Sequence, residues 1–372
     1  MKLSKITLAC ALAAGMAAPQ IASADDAFEF HGYARAGTAY EQDGNTTISA
    51  DGATGNAAGR LGNEGNGGEW LFIKKFEPEN GTKWDVGFMA EDWGDGVALK
   101  QSYAGASNVF ESQPNAYVWA GKVFHSRMQQ GLNDYYLSQG DGEGAGIKSV
   151  DLGFADMELG FVASGWGGQY TATSKLSGIK LGNEVNLDII ANYGFTDNSE
   201  DNLGYDAYQL IAKFSGWGQN FYYRHADNVE SSLSWGREEG LSSDYFSIDG
   251  SYSLAEKTGL EYLVSYQDFE QITSADVAGS GDRVTYNAIV RPTHQWNDIH
   301  STWVEAGYTL VDFDDSREDN SAYKVTLSQN IAVGNVTWAR PQLRFYVTAG
   351  HEENSGVSSN PLIAGAMFEA WW

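Results

Sequence analysis

The sequence predicts an all-β protein, an antiparallel β-barrel that crosses a membrane with its strands. Three observations predict it. The chain opens with a secretory leader, the remainder alternates apolar and polar residues between turn-rich breaks, and the last residue is an aromatic on an apolar strand face.

The leader is read first. Met1-Lys2-Leu3-Ser4-Lys5 is basic and free of acids, residues 6–18 carry no charge, and Ala22-Ser23-Ala24 fits a small-residue cleavage site. A spanning helix needs about 20 apolar residues, more than this run supplies. Residues 1–24 are therefore expected to be a cleaved signal peptide, with Asp25 opening a single barrel domain over 25–372. Cys10 is the only cysteine and lies in the leader. The expected mature chain then has no thiol nucleophile, thiolate metal site or disulfide framework.

Composition narrows the class further. Loss of Lys2 and Lys5 would leave 21 basic against 49 acidic residues, a net charge of −28. Such a surface repels nucleic acid, so no nucleic-acid partner is expected. High charge with few aromatics would suggest disorder. Here 20 Tyr, 17 Phe and 12 Trp argue instead for an ordered, strand-rich chain. No later segment is apolar enough for a membrane helix, so a membrane location has to come from strands.

About sixteen strand candidates emerge from runs rich in Tyr, Val, Phe, Trp and Gly. They are residues 28–40, 70–76, 84–93, 116–124, 149–154, 157–164, 185–195, 207–215 and 220–225. The series continues with 245–254, 259–269, 283–291, 301–313, 322–331, 341–351 and 362–372. Ala155-Asp156 and Pro78-Glu79-Asn80-Gly81 read as tight turns. Residues 43–68, 274–281 and 352–360 read as long loops, and short turns at one end with long loops at the other describe an outer-membrane barrel.

Side-chain alternation gives the sharper test. In 362–372 one face is Leu362, Ala364, Ala366, Phe368, Ala370 and Trp372, and the other holds Ile363, Met367, Glu369 and Trp371. In 28–40, Phe28, Phe30, Gly32 and Ala34 oppose Glu29, His31, Tyr33 and Arg35. In 341–351, Leu343, Phe345 and Val347 oppose Gln342, Arg344 and Thr348. A soluble sandwich would also alternate. The leader and the aromatic terminus tilt the choice to a membrane barrel. Parity also places Tyr33, Arg35 and Trp371 on the lumen side, and Trp338 in phase with Arg340, Gln342 and Arg344.

Several short motifs, in order, resemble one family. They are Phe30-His31-Gly32-Tyr33-Ala34-Arg35-Ala36-Gly37, then Arg60-Leu61-Gly62-Asn63-Glu64, then Val118-Trp119-Ala120-Gly121-Lys122-Val123-Phe124 with Arg127, Asp134-Tyr135-Tyr136 and Gly144-Ala145-Gly146. Near the end come Arg291-Pro292, Val304-Glu305-Ala306-Gly307-Tyr308, Tyr323-Lys324-Val325-Thr326-Leu327, Trp338-Ala339-Arg340-Pro341 and Phe368-Glu369-Ala370-Trp371-Trp372. Together they resemble the maltoporin (carbohydrate-specific porin) family over both ends and the first third, and the likeness fades between residues 166 and 282.

The resemblance implies an eighteen-stranded outer-membrane barrel with its third loop folded into the pore. It implies a homotrimer with one pore per subunit, and passage of maltose/maltodextrin-type oligosaccharides along an aromatic slide flanked by polar tracks. Carried over by motif, Tyr33, Trp338 and Trp371 would belong to the slide and Tyr136 to the constriction. Arg35, Arg60, Arg127 and Asp134 would form the polar tracks. Trp70 is a candidate of uncertain register, and Trp235 an unassigned mid-barrel tryptophan. The chemistry suits a sugar: aromatic rings stack on the apolar faces of a pyranose, and charged groups hydrogen-bond its hydroxyl rim.

Blander readings stand beside these. Most aromatics should be membrane-interface residues, and Arg35 would serve as well in a structural ion pair. A general diffusion porin needs no stacked aromatics, and a channel for acidic sugars would need a basic lumen. A plugged structural barrel or an adhesin would need no sugar affinity. The six histidines are scattered, with no HExxH and no GxSxG elbow, so an enzyme is not expected. No cofactor or metal site is expected either. The acidic stretch 312–319 reads as a solvated loop, with loose calcium binding as the lesser alternative.

Overall fold

Backbone groups in a bilayer must pair internally, so strands can cross it only as a closed barrel. The computed structural model shows that closure and describes residues 28–163, 168–197, 204–234, 236–271, 279–334 and 336–372. The expected signal peptide and Asp25, Trp235 and most of loop 274–281 lie outside the described residues.

In chain order the strands are β1 (Phe28–Tyr40), β2 (Gly67–Phe76), β3 (Lys83–Asp92), β4 (Ala98–Ser107), β5 (Tyr117–Val123), β6 (Met128–Gln129) and β7 (Tyr136–Ser138). They continue with β8 (Gly142–Asp151), β9 (Asp156–Ala163), β10 (Gln169–Lys180), β11 (Asn186–Thr196), β12 (Ala207–Gly216), β13 (Gln219–Val229) and β14 (Arg237–Ala255). The last are β15 (Thr258–Gln271), β16 (Arg283–Gln295), β17 (His300–Phe313), β18 (Asn320–Ala332), β19 (Gln342–Asn354), β20 (Val357–Ser359) and β21 (Leu362–Trp371). Among the described residues, eighteen of these pair antiparallel around one barrel. The first strand meets the last with Tyr33 opposite Trp371 and Arg35 opposite Glu369. The remaining three lie off the wall: β6 and β7 form a ribbon in the loop between β5 and β8, and β20 pairs with the end of β19.

The alternation predicted for β1, β19 and β21 holds. Leu343, Phe345 and Val347 are exposed on the outside, whereas Gln342, Arg344, Thr348, Ile363, Met367 and Glu369 are buried inside. Phe30 stacks on Phe72 at 4.9 Å and meets Trp372 at 5.4 Å on the outer face. The turn at 78–81 closes with Gly81 N donating to Pro78 O at 2.9 Å.

Four expectations change. Strands β4 and β10 were not anticipated. The candidate at 149–154 is displaced: the strand is Gly142–Asp151, Ser149 (φ 59°) is a bulge within it, and Leu152 N donates to Ala155 O in the turn that follows. The stretch 352–360 is a hairpin, with Asn354 paired to Val357 across Ser355 (φ 51°) and Gly356 (φ 74°). Two positive φ values define a type I′ turn, which suits the twist of adjoining strands. Finally, loop 43–68 also folds into the barrel beside the expected loop 124–141: Ile48, Ala57, Ala58 and Leu61 in it are buried.

Candidate functional site

The barrel interior is large, and two inward segments decide what stays open. Residues 124–141 lie along the wall formed by β11–β16. Leu137 packs with Ile190 and Ile211, Tyr135 with Tyr245 at 5.4 Å, and Leu132 with Leu263 and Ile289. Gln130 Nε2 donates to Ser247 and Asp249, and Tyr245 Oη donates to Gln130 Oε1 at 2.6 Å.

Residues 41–66 cover the wall formed by β17–β21. Leu61 N donates to Glu305 Oε1 at 2.7 Å, and Leu61 O accepts from Lys324 Nζ at 2.6 Å and Thr326 Oγ1 at 3.0 Å. Glu305 is held in turn by Arg291, at 2.7 and 2.9 Å. Gly59 adopts φ +104° against Glu305, a conformation open to glycine, so the loop backbone can lie close to the wall. The two segments meet where Arg60 N donates to Leu132 O at 3.0 Å.

The open side of the lumen is bordered by β21 and β1–β5, and most of the expected residues gather there. Tyr33 and Trp371 stack with centroids 6.4 Å apart and planes 21° apart. Trp93 stands 6.0 Å from Tyr33 on the other side, with the Arg35 guanidinium 5.3 Å from its ring. Trp371 and Trp93 are 39% and 38% exposed, so this three-ring row keeps open faces. Arg35 pairs with Asp134 at 3.1 Å, and Arg60 Nε lies 3.8 Å from the same carboxylate. Tyr33 Oη donates to Glu369 Oε1 at 2.9 Å, and Arg60 Nη2 donates to that oxygen at 2.5 Å. The other Glu369 oxygen accepts from Arg340 at 2.6 and 2.9 Å. Arg60 is therefore spent on holding the loop. Burial opposes its charge, but Glu369, Asp134 and Glu64 raise its pKa above the ordinary value. Burial would likewise raise Glu64, yet Arg344 and Arg60 together hold it below the usual carboxylate range.

Arg127 and Tyr136 form a second group. Arg127 is doubly bonded to Asp141 and lies over Phe124 at 3.2 Å, with Tyr136 5.5 Å away. Trp338 sits apart, 47% exposed in the turn between β18 and β19. Its ring faces Gly131 of the inward loop, and among the described residues no ring contact joins it to Trp371. Trp70 is opposite Gly32 in the β1–β2 pair, which puts it on the outward face with Phe72 rather than in the lumen. Sequence reading placed Trp93 only as the last residue of the strand candidate 84–93 and gave it no lumen role; β3 itself ends at Asp92. That reading also missed Glu369 as the common acceptor. Its burial between Arg340, just before β19, and Arg60 of loop 41–66 joins residues 309 positions apart.

The comparisons follow from this geometry. Solved structures of similar fold include OccK3 (OpdO) of Pseudomonas aeruginosa, at 8% identity over 94% of this chain and 96% of that one, with a TM-score of 0.55. OccK11 (OpdR) of the same organism matches at 10% identity over 93% and 96%, TM-score 0.53. Wzi of Escherichia coli, an outer-membrane protein described as a carbohydrate-binding β-barrel involved in group 1 capsule assembly, matches at 12% over 91% and 83%, TM-score 0.51. At such identities these likenesses speak for the barrel alone. The LamB porin family model matches residues 28–372, nearly the whole chain. The protein belongs to the LamB porin family, as a bacterial outer-membrane β-barrel diffusion channel.

Proposed function

We propose that this channel passes maltose/maltodextrin-type oligosaccharides by facilitated diffusion, as a homotrimer exported by a cleaved signal peptide. The observation that carries the reading is the half-exposed row Trp371–Tyr33–Trp93 beside the Arg35–Asp134 pair. Rings in a row give a pyranose chain successive stacking faces of similar strength. Charged side chains at the edge replace water on the sugar hydroxyls as the chain advances. Sites that are shallow and alike let a solute enter without trapping it. In this reading Tyr136 and Arg127 of the inward loop border the passage, and Trp338, set apart in the turn between β18 and β19, is a separate contact at the turn end.

The test is ion conductance in a planar lipid bilayer while maltodextrins of increasing length are titrated. Saturable block that tightens with chain length, and weakens in Trp371→Ala, is expected. Conductance indifferent to every neutral oligosaccharide would replace this reading with a general diffusion porin.

A further inference from the structure

A second aromatic surface lines the lumen three strands round the wall from Tyr33. On β4, Gln101 and Tyr103 face inward, opposite Met89 and Gly87 of β3. On β5, Tyr117 and Trp119 face inward, opposite Lys148 and Gly146 of β8. Each of these rings lies on a glycine of the neighbouring strand: Tyr103 on Gly87, Tyr117 on Gly105, Trp119 on Gly146. The missing Cβ lets the ring lie flat against the sheet, so its other face is presented to the lumen. Trp119 is then capped by His125, whose Nδ1 is 2.9 Å from Glu158. Tyr103 and Tyr117 are only half-buried.

Around these two rings lies a cavity of about 80 Å³ with polar groups of both kinds. Lys148 Nζ stands 4.7 Å from the Tyr117 ring, and Tyr117 Oη donates to Asp85 at 2.6 Å. Among the described residues Tyr103 Oη has no protein hydrogen-bond partner. Tyr103 lies four residues from the turn end of β4, Tyr117 opens β5, and Lys148 lies three residues from the turn end of β8, whereas the inward loop 124–141 leaves from the other end of β5. The group therefore stands between that loop and the end of the barrel where β1 begins and β21 ends.

We propose that Tyr103, Tyr117 and Lys148 form a second, separate sugar seat on the turn-end side of the constriction. It takes one neutral hexose unit of an oligosaccharide, stacked on Tyr103 with Lys148 and the Tyr103 hydroxyl bonding the hydroxyl rim. The recess is too small to enclose more than part of a ring, which suits a resting place for a chain leaving or approaching the constriction. The proposal rests on the sugar-channel reading above.

The experiment is side-resolved block of the full trimeric channel in a planar bilayer, with maltohexaose added to the loop side or the turn side in turn. Tyr103→Leu keeps an apolar cover over Gly87, and so preserves folding, while removing the stacking face. It should slow association from the turn side by about threefold or more, the size of one lost ring contact, and change association from the loop side far less. Tyr103→Phe, which keeps the ring and loses only the hydroxyl bond to the sugar rim, should fall between wild type and Tyr103→Leu. Trp371→Ala should weaken block from both sides. If Tyr103→Leu blocks as wild type does from both sides while Trp371→Ala is weakened, the second seat is wrong and the channel reading stands. If wild type is blocked by no oligosaccharide, the channel reading itself fails and takes this proposal with it.

Discussion

Glu369 and Trp371 sit two residues apart on the lumen face of β21 and serve different ends. Glu369 is buried and accepts from Tyr33, Arg60 and Arg340, with Arg344 3.6 Å away. Taking away its charge leaves buried guanidiniums uncompensated. Glu369→Ala should therefore cost about 3–5 kcal/mol, the range for breaking one partner of a buried pair, seen as a lower unfolding temperature in detergent. It should also free Arg60 and disorder the constriction. Trp371 contributes little to the fold, because it stands 39% exposed on the end of the last strand. Trp371→Ala should leave thermal stability nearly unchanged and weaken maltodextrin block by roughly two- to tenfold, the worth of one aromatic contact. Equal losses of stability in the two variants would mean that Trp371 is a packing residue and not a sugar platform.

At the scale of elements, loop 41–66 behaves as a latch. It is polar and Gly-rich, yet it stays inside because its backbone is gripped by charges of the wall: Glu305 and Lys324 at Leu61, with Arg344 pairing Glu64. Glu305→Ala leaves Lys324 and Arg291 buried without their shared carboxylate. It should raise open-channel conductance and its noise, read in single-channel recordings, as the loop leaves the wall. The latch should also respond to acid. The folded Glu64 carboxyl lies below its ordinary value of 4.5, so its contribution is complete above that pH and is lost as pH falls through the lower, folded value. Conductance should accordingly be steady from neutral pH down to about 4.5 and rise only below it. A rise already complete at pH 6 would assign the gating to another group.

The same element shows why part of the fold was legible in sequence and part was not. Strands β1, β19 and β21 carry bulky apolar residues outward and polar ones inward, so period two is plain. Past the bulge in β4 the outward residues are Ser102, Ala104 and Ala106, and the middle of β10 turns Ala172 and Ser174 outward. These small side chains give no hydrophobic signal, and both strands went unread. Stretch 43–68 read only as a long loop, with Arg60 alone of it placed in the lumen, because much of its hold on the wall is made through backbone hydrogen bonds, which side-chain pattern does not record. In the candidate site, Tyr33, Arg35, Arg60, Asp134 and Trp371 came together as their motifs suggested. Trp93 lies in none of those motifs, so although the strand candidate 84–93 reached it, nothing in the sequence singled it out as a lumen ring.

Over the whole molecule, the formal charge of −26 sits unevenly. Around the open passage charges are paired: Arg35 with Asp134, Arg60 with Glu369, Arg127 with Asp141, Arg344 with Glu64 and Arg291 with Glu305. Buried Arg224 and Arg283 bond to neutral oxygens. Acids in excess stand outside, as at the loop end of the barrel, where Asp268, Glu270, Asp312, Asp314, Glu318 and Asp319 are exposed and Arg317 offsets only Asp315. A paired lumen has dipoles for hydroxyl groups and little net field for ions. An acidic rim gathers cations at the mouth. Two consequences separate by salt. Reversal potentials across a salt gradient should show a cation preference near 10 mM, where the Debye length is about 30 Å, and it should largely vanish at 1 M, where it is about 3 Å. Block by neutral maltodextrins should change little over the same range, because stacking and short-range hydrogen bonds are not screened. A cation preference that persists undiminished at 1 M would place the selecting charges within the constriction. The lumen pairs would then be less balanced in the working channel than their geometry implies, and acidic solutes would be excluded at the constriction itself.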